Sequence, residues 1–267
     1  TFSGGSFLGA GAYRHFIPSI VNHIISRSEF LTAYTPYQAE ASQGTLQTIF
    51  EFQSLICRLT GLDVANASVY DGGTAAADAI LMAVAQTRRS KVLISRGLHP
   101  QIREVIATYL AGSSIQVEEI PLDPKTGQTC LPEVGADVAA VLVQNPNFLG
   151  IIEDGPSLCQ KAHSSGALAI VEVSDPVCLA LLRSPGEYGA DICCGDAQSL
   201  GNPVAYGGPY VGFLACTNKL MRRIPGRLVG LTEDAQGRRG FCLTLQAREQ
   251  HIRREKASSN ICSNQAL

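Results

Sequence analysis

No apolar run in this 267-residue chain approaches the roughly 18 to 20 residues that a membrane span requires, so no membrane partner is expected. No signal peptide is visible at the start. Nine cysteines are present without a single Cys-x-x-Cys pair, and missing ligand spacing argues against a metal site. Cys193 and Cys194 are adjacent in an expected strand and face opposite sides, while Cys57 and Cys159 read as buried apolar positions. Such usage fits reduced thiols in the cytosol. Repeats, low-complexity tracts and linkers are also lacking, so residues 1–267 read as one domain. Aromatic side chains hardly interleave with the basic ones, which argues against a nucleic-acid partner.

What is present is the composition of an ordinary globular protein, 45% hydrophobic and 16% charged. From residue 64 onward, short β-rich runs alternate with helical patterns: "DVANAS", "TAAADAILMAVAQT", "KVLIS", "HPQIREVIATYLAG", "IQVEEIPL", "VAAVLVQNP", "GPSLCQKAHSSG", "ALAIVEVS", "DICCGD" and "YVGFLACT". That alternation predicts an α/β fold with a mainly parallel sheet covered by helices on both faces. Ahead of it, Leu46, Ile49, Phe50, Gln53, Ile56 and Cys57 form one helical stripe, with Gly61 as its stop. Later, "NKLMRRIPG" predicts a short helix stopped by Pro225, and "RLVGLTEDAQGRRGFCLTLQ" a two-stranded hairpin. "AREQHIRREKASSNICSNQAL" reads as a helix that runs off the end. With a start at Thr1 rather than methionine, this leads us to expect a fragment.

The net charge of −2 hides an asymmetry, because residues 217–260 carry ten basic side chains against four acidic ones. Either a solvated face or a contact for a phosphate or acidic partner accounts for it.

Six places could carry chemistry. Gly72, Gly73 and Thr74 open a helix after a strand, where free N–H groups favour a phosphate; a plain glycine turn with Thr74 as N-cap explains them equally. His99 ends the next strand, either to lie on a heterocyclic ring or to start a helix. Asn145 follows a strand and could bond a ring oxygen, or it is a turn residue before Pro146. Asp175 could keep a pyridine nitrogen protonated, or it begins a helix as part of Asp-Pro. All of these follow strand C-terminal ends, where open α/β sheets bind ligands. Tyr34, Tyr37 and Gln38 differ, standing before a helix where a ring with a polar tip suits a site or an interface; packing on the core is the plainer alternative.

The sixth place is defined by an absence. "GADICCGDAQSLGNPVAYGGPYVG", residues 189–212, has the layout of the cofactor strand in enzymes of pyridoxal phosphate (PLP), yet Gln198 stands near where an aldehyde-binding lysine belongs. An amide cannot capture an aldehyde. The five lysines (Lys91, Lys125, Lys161, Lys219, Lys256) occupy other contexts.

Together "FLGAGAYRHFIP", "SRSEFLTAYTPYQAEASQGTLQTIFEFQ", "DVANASVYDGGTA", "VQNPNFLG", "GDAQSLGNPVAYGGPYVGFLA" and "TLQAREQHIRREKASSNICSNQAL" resemble subunit 1 of the two-subunit glycine dehydrogenase (decarboxylating) family, the P-protein of the glycine cleavage system. The resemblance covers nearly the whole chain. It implies the large domain of a fold-type-I PLP enzyme, with an N-terminal extension and a C-terminal small domain missing here. It also implies a division of labour. The PLP-binding lysine belongs to subunit 2, which decarboxylates glycine and passes the aminomethyl group to the lipoyl group of H-protein. Subunit 1 anchors no PLP, and its Gly195–Gly201 stretch carries the glutamine that the resemblance leads one to expect. On this reading Gly72, Gly73, Thr74, His99, Asn145, Asp175 and Gln198 are vestigial cofactor positions, Tyr34, Tyr37 and Gln38 line the partner's pocket, and Arg253, Arg254 and Lys256 are partner contacts. Two alternatives are a structural or regulatory scaffold subunit and a stand-alone PLP enzyme.

Overall fold

The computed structural model describes residues 10–31, 34–249, 252 and 254–257. Two short helices, α1 (Ser19–Ile25) and α2 (Ser28–Leu31), precede the long α3 (Gln43–Thr60). Strand β1 (Val64–Ala65) and helix α4 (Gly72–Thr87) follow, then β2 (Lys91–Ser95), α5 (Pro100–Leu110), β3 (Gln116–Ile120) and β4 (Val138–Gln144). The chain continues through α6 (Gly155–Ser164), β5 (Leu168–Val173), β6 (Ile192–Asp196) and β7 (Gly212–Cys216), and ends its regular structure in β8 (Leu228–Glu233) and β9 (Arg239–Thr244).

The main sheet has seven strands in the order β1-β7-β6-β5-β4-β2-β3. Strands β3, β2, β4, β5 and β6 are parallel, while β7 runs antiparallel to both β6 and β1. The expectation of a mainly parallel sheet therefore holds, with the antiparallel strand at one side. Strand β4 is buried at every position, which is why it reads as an unbroken apolar run: both faces are covered. Side chains alternate between two cores. Leu142, Ile170, Ile192, Cys194 and Leu214 pack towards α4 and α5. Val141, Val143, Val171, Cys193 and Phe213 pack on the opposite face with α6. Cys193 and Cys194 thus do face opposite sides, and Cys159 is buried, but Cys57 is only half-buried.

Helix α3 buries Leu46, Gln53, Ile56 and Thr60, with Ile49, Phe50 and Cys57 partly buried along the predicted stripe, and Gly61 closes it at φ 68°. It carries the β8–β9 hairpin on a small core of Leu46, Val229, Phe241 and Leu243. Two glutamine side chains stitch that seam as a neighbouring strand would. Gln53 donates to the Val229 carbonyl and accepts from the Val229 N–H, both at 3.0 Å. Gln43 does the same with Phe241 at 2.8 Å.

Two helical expectations are corrected. "NKLMRRIPG" forms only a 3-10 turn, Asn218–Leu220. Of the stretch 247–267, the described residues give 3-10 turns at Gln246–Arg248 and Arg254–Lys256 rather than helix, and residues 250, 251, 253 and 258–267 lie outside the described residues. The reason is tertiary: the Arg248 guanidinium donates to the carbonyls of Ile224 and Gly226, and Glu249 pairs with Arg227 at 3.5 Å, leaving Glu249 extended.

Candidate functional site

The parallel strands end at one edge, and the predicted positions gather there. Gly72–Thr74 open α4, His99 precedes α5, and Asn145, Asp175 and Gln198 follow β4, β5 and β6. A cavity of about 480 Å³ lies at this edge, lined among others by Gly72, Gly73, His99, Glu172, Asp196 and Tyr210.

The α4 terminus comes close to the sheet because Gly72 lacks a side chain; a Cβ there would lie 3.1 Å from the Asp196 backbone N. Its N-cap is Asp71 and not Thr74, which corrects that alternative. Asp71 accepts from the Thr74 N–H at 2.8 Å, and the Thr74 hydroxyl in turn serves Asp71. The Gly72 N–H donates to Asp196 at 3.2 Å. Two carboxylates therefore sit where a phosphate would be held. The phosphate of PLP does not fit this helix end, since the Gly72 and Thr74 N–H groups are taken by carboxylates and that neighbouring charge has the wrong sign.

His99 is buried, and its backbone N–H donates to Gln144 Oε1 at 2.7 Å. Its Nδ1 accepts from the Gln101 N–H at 3.1 Å, so His99 is the cap of α5 as well as a wall of the cavity. The Phe148 ring meets its edge, with centroids 4.9 Å apart.

Asn145, Asp175 and Gln198 do not line the cavity. Asn145 accepts from the Glu153 N–H at 3.0 Å and donates to the Tyr188 hydroxyl at 3.3 Å, behind the strand. Asp175 caps the 3-10 turn Pro176–Ala180 by accepting from the Val177 N–H. It also accepts from the Ser199 hydroxyl at 2.6 Å and lies 3.1 Å from His15 Nε2. Gln198 is buried, and its amide grips the backbone of Tyr13: Oε1 accepts from the N–H at 3.2 Å while Nε2 donates to the carbonyl at 3.1 Å and to Asn202 O at 2.7 Å. The N-terminal segment thus fills the place beside Gln198.

Among the described residues, no lysine lines the cavity. Lys91 begins β2, at the opposite edge, and pairs with Glu118; Lys161 donates to the Leu131 carbonyl.

Sequence reasoning missed the acids. Glu172 is fully buried in β5, and burial pushes its carboxyl up to about 8 despite the Ser174 hydroxyl, which stands 3.0 Å from both of its oxygens and donates one shared hydrogen bond. Asp196 is raised to about 6, also mainly by burial. A glutamate inside the apolar run "ALAIVEVS" was the available signal.

Tyr34, Tyr37 and Gln38 lie away from the cavity and are exposed. The Tyr37 hydroxyl accepts from Arg227 Nη2 at 3.1 Å, and that guanidinium stands 5.8 Å from its ring centroid. Arg254 is exposed; Arg253 lies outside the described residues, and Lys256 falls in the same 3-10 turn as Arg254. Among the described residues, no group of three His, Cys, Asp or Glu could hold a metal ion.

The glycine cleavage system P-protein family matches residues 3–267. The chain is 61% identical over 264 residues to the probable glycine dehydrogenase (decarboxylating) subunit 1 of Moorella thermoacetica, and 58% identical over 265 residues to that of Carboxydothermus hydrogenoformans; each match takes in 98% of this chain and 59% of the relative. The chain therefore spans about three fifths of the length of these relatives. A crystal structure of glycine decarboxylase (P-protein) of the glycine cleavage system, in inhibitor-bound form, superposes with a TM-score of 0.94 at 53% identity, over 97% of this chain and 59% of that one. Sphingosine-1-phosphate lyase of Burkholderia pseudomallei shares the fold, with a TM-score of 0.58 at 15% identity over 85% of this chain and 56% of the other.

Proposed function

The chain belongs to the glycine cleavage system P-protein family, and from that premise we propose that it is the subunit of a decarboxylating glycine dehydrogenase that anchors no PLP. It completes the active site of a PLP-bearing subunit 2, which decarboxylates glycine and hands the aminomethyl group to lipoyl H-protein. The observation that carries this reading is the Gln198 amide, bound on both sides to the Tyr13 backbone where an amine would have to reach an aldehyde. The carboxylate caps of α4 support it, since they occupy the phosphate's donors.

The chain's own contribution is surface. Helix α1 buries no side chain, and Phe16, Ile20, Ile24 and Leu31 are exposed around it. Contiguous apolar groups of this kind suit a partner that covers them. The exposed Tyr34 and Tyr37 rings then line the partner's glycine or lipoyl pocket, with Arg227 fixing Tyr37. The eight cysteines among the described residues are free thiols, which fits a cytoplasmic enzyme.

The test is co-purification with a lysine-bearing subunit 2, followed by glycine–bicarbonate exchange. Activity is expected only with both subunits. Exchange by this chain alone, or a borohydride-reduced pyridoxyl label on any of its lysines, would overturn the reading.

A further inference from the structure

The contacts of the described C-terminal residues converge on one exposed ring. Tyr37 precedes α3 and is 46% exposed, so the orientation of its ring depends on what touches its covered side. Arg227 touches it twice. Its Nη2 donates to the hydroxyl at 3.1 Å, and the guanidinium carbon stands over the ring, 5.8 Å from the centroid, where a cation is attracted to the face.

Arg227 is itself held firmly. Its carbonyl accepts from the Ala67 N–H at 2.9 Å, and Ile224, Pro225 and Gly226 before it are buried. The Pro225 carbonyl accepts from the buried Asn66 amide at 3.0 Å, and the Gly226 carbonyl from Arg248 at 3.1 Å. The backbone is thus fixed from two sides, and the side chain is fixed by charge. Its Nε stands 3.5 Å from Glu249 Oε2, with only 14% of the Arg227 side chain and 9% of the Glu249 side chain exposed.

Folding does not require this pair. Arg248 already ties its stretch to the segment before β8, and a buried ion pair contributes little net stability over apolar side chains of similar size. What such a pair does supply is direction: it turns a planar guanidinium one way and keeps it there. Here that direction is towards Tyr37.

We propose that Arg227 and Glu249 are positioning residues for Tyr37: Glu249 orients the guanidinium, and the guanidinium sets the ring that the partner's pocket receives. The pocket half of this statement rests on the function proposed for the chain, whereas the hold on the ring does not.

The hold is read by NMR on the purified chain carrying isotope-labelled tyrosine, from the ring signal that Y37F removes. R227K keeps a positive charge beside Glu249 but loses the planar fork, and E249Q keeps an acceptor but loses the charge. Both should move the Tyr37 signal, and E118Q, in the surface pair with Lys91, should not. The consequence is read in glycine–bicarbonate exchange after reconstitution with a lysine-bearing subunit 2. R227K and E249Q should each lower kcat by about fivefold, as Y37F does, with KM for glycine within about twofold of the parent. R227K/Y37F should match Y37F within about twofold, because a group that acts through Tyr37 has nothing left to hold, whereas a merely structural residue would multiply the loss. Should E249Q fail to fold, R227K decides. A Tyr37 signal that R227K leaves in place overturns the hold. Exchange that falls in Y37F but not in R227K, or a double variant slowed by the product of the two, overturns the positioning role. Unchanged exchange in Y37F with a moved ring signal would sink the pocket reading and support the hold alone.

Discussion

Two stretches of the same sheet edge meet different fates. Beside α4 the edge is hollow, bounded by His99, Glu172 and Asp196; beside the 3-10 turn Gln198–Leu200 it is filled by the backbone of Tyr13. The difference lies in what each polar group has found. Gln198 treats Tyr13 as Gln53 treats Val229, using both ends of one amide to imitate a strand neighbour. His99 uses one ring nitrogen for a helix cap and has nothing for the other. A side chain that pairs completely with backbone closes a site, and one that pairs halfway leaves it open.

The strongest way to break this comparison is to disturb the strand both stretches share. Gly195 lies in β6 where a Cβ would come within 1.9 Å of the Val173 carbonyl oxygen, so strand β5 would have to move away from β6. G195A should abolish the cooperative unfolding transition, a cost of about 3 kcal/mol or more, read by urea titration followed by circular dichroism. A normal transition in that variant would show that the edge tolerates rearrangement and that neither half is fixed by the sheet.

The next effect belongs to the hollow half. Glu172, with its folded-state value raised to about 8, holds a proton over the range in which an unfolded glutamate, near 4.3, has lost it. Its contribution to stability is therefore full below the unfolded value and fades as pH rises through about 8. The slope approaches about 1.4 kcal/mol per pH unit within that window, amounting to a few kcal/mol across it. Asp196 adds a slope of the same sign that ends near 6. E172Q should flatten the decline in the urea midpoint above about pH 6 and make the variant the more stable protein at about pH 8. An unchanged pH profile would mean that Glu172 is ionised in the folded chain.

Sharpening the filled half requires losing the glutamine. Q198A leaves the Tyr13 N–H and carbonyl and the Asn202 carbonyl without their partner, which should cost about 2 kcal/mol of stability by urea titration. Hydrogen exchange at the Tyr13 amide should rise by a larger factor than exchange in β4, because the segment opens on its own. Equal changes in both would show that the segment is part of the core and not a plug.

How much of this was legible beforehand depends on the range of the contacts. Strands β2, β4 and β5 came directly from apolar runs, since burial on two faces removes alternation and leaves a local signature. The β8–β9 hairpin was equally plain from its turn. The gathering of Gly72, His99, Asp175 and Gln198 at one edge followed from their positions after strands. What each does there was not legible. Gln198 and Tyr13 are 185 residues apart, and no local pattern announces that pairing. Asn145 read equally as a ring contact or a turn residue before Pro146, and it bonds Tyr188 away from the cavity, while the described C-terminal basic residues lost their helix to Arg248 and Glu249 contacts with the segment before β8. Local periodicity reports which face is buried, and it is silent on which polar group a distant segment will satisfy.

The smallest expected effect tests the reading that this chain lends surface to a neighbour. Tyr34 is 65% exposed and Tyr37 46%, so the contacts their hydroxyls make, the Tyr37 bond to Arg227 among them, lie at the surface, and removing both hydroxyls leaves both rings in place. The double variant Y34F/Y37F should keep its urea midpoint within about 0.5 kcal/mol of the parent. Exchange of glycine with bicarbonate by the reconstituted pair should nevertheless fall by about tenfold, the order expected when a hydrogen bond at a shared pocket is lost. That split between folding and activity is the decisive feature, because a hydroxyl that merely packs would alter both or neither. Unchanged exchange would place the tyrosines outside the reacting pocket and leave this chain a scaffold in that region, with α1 as the contact to examine instead.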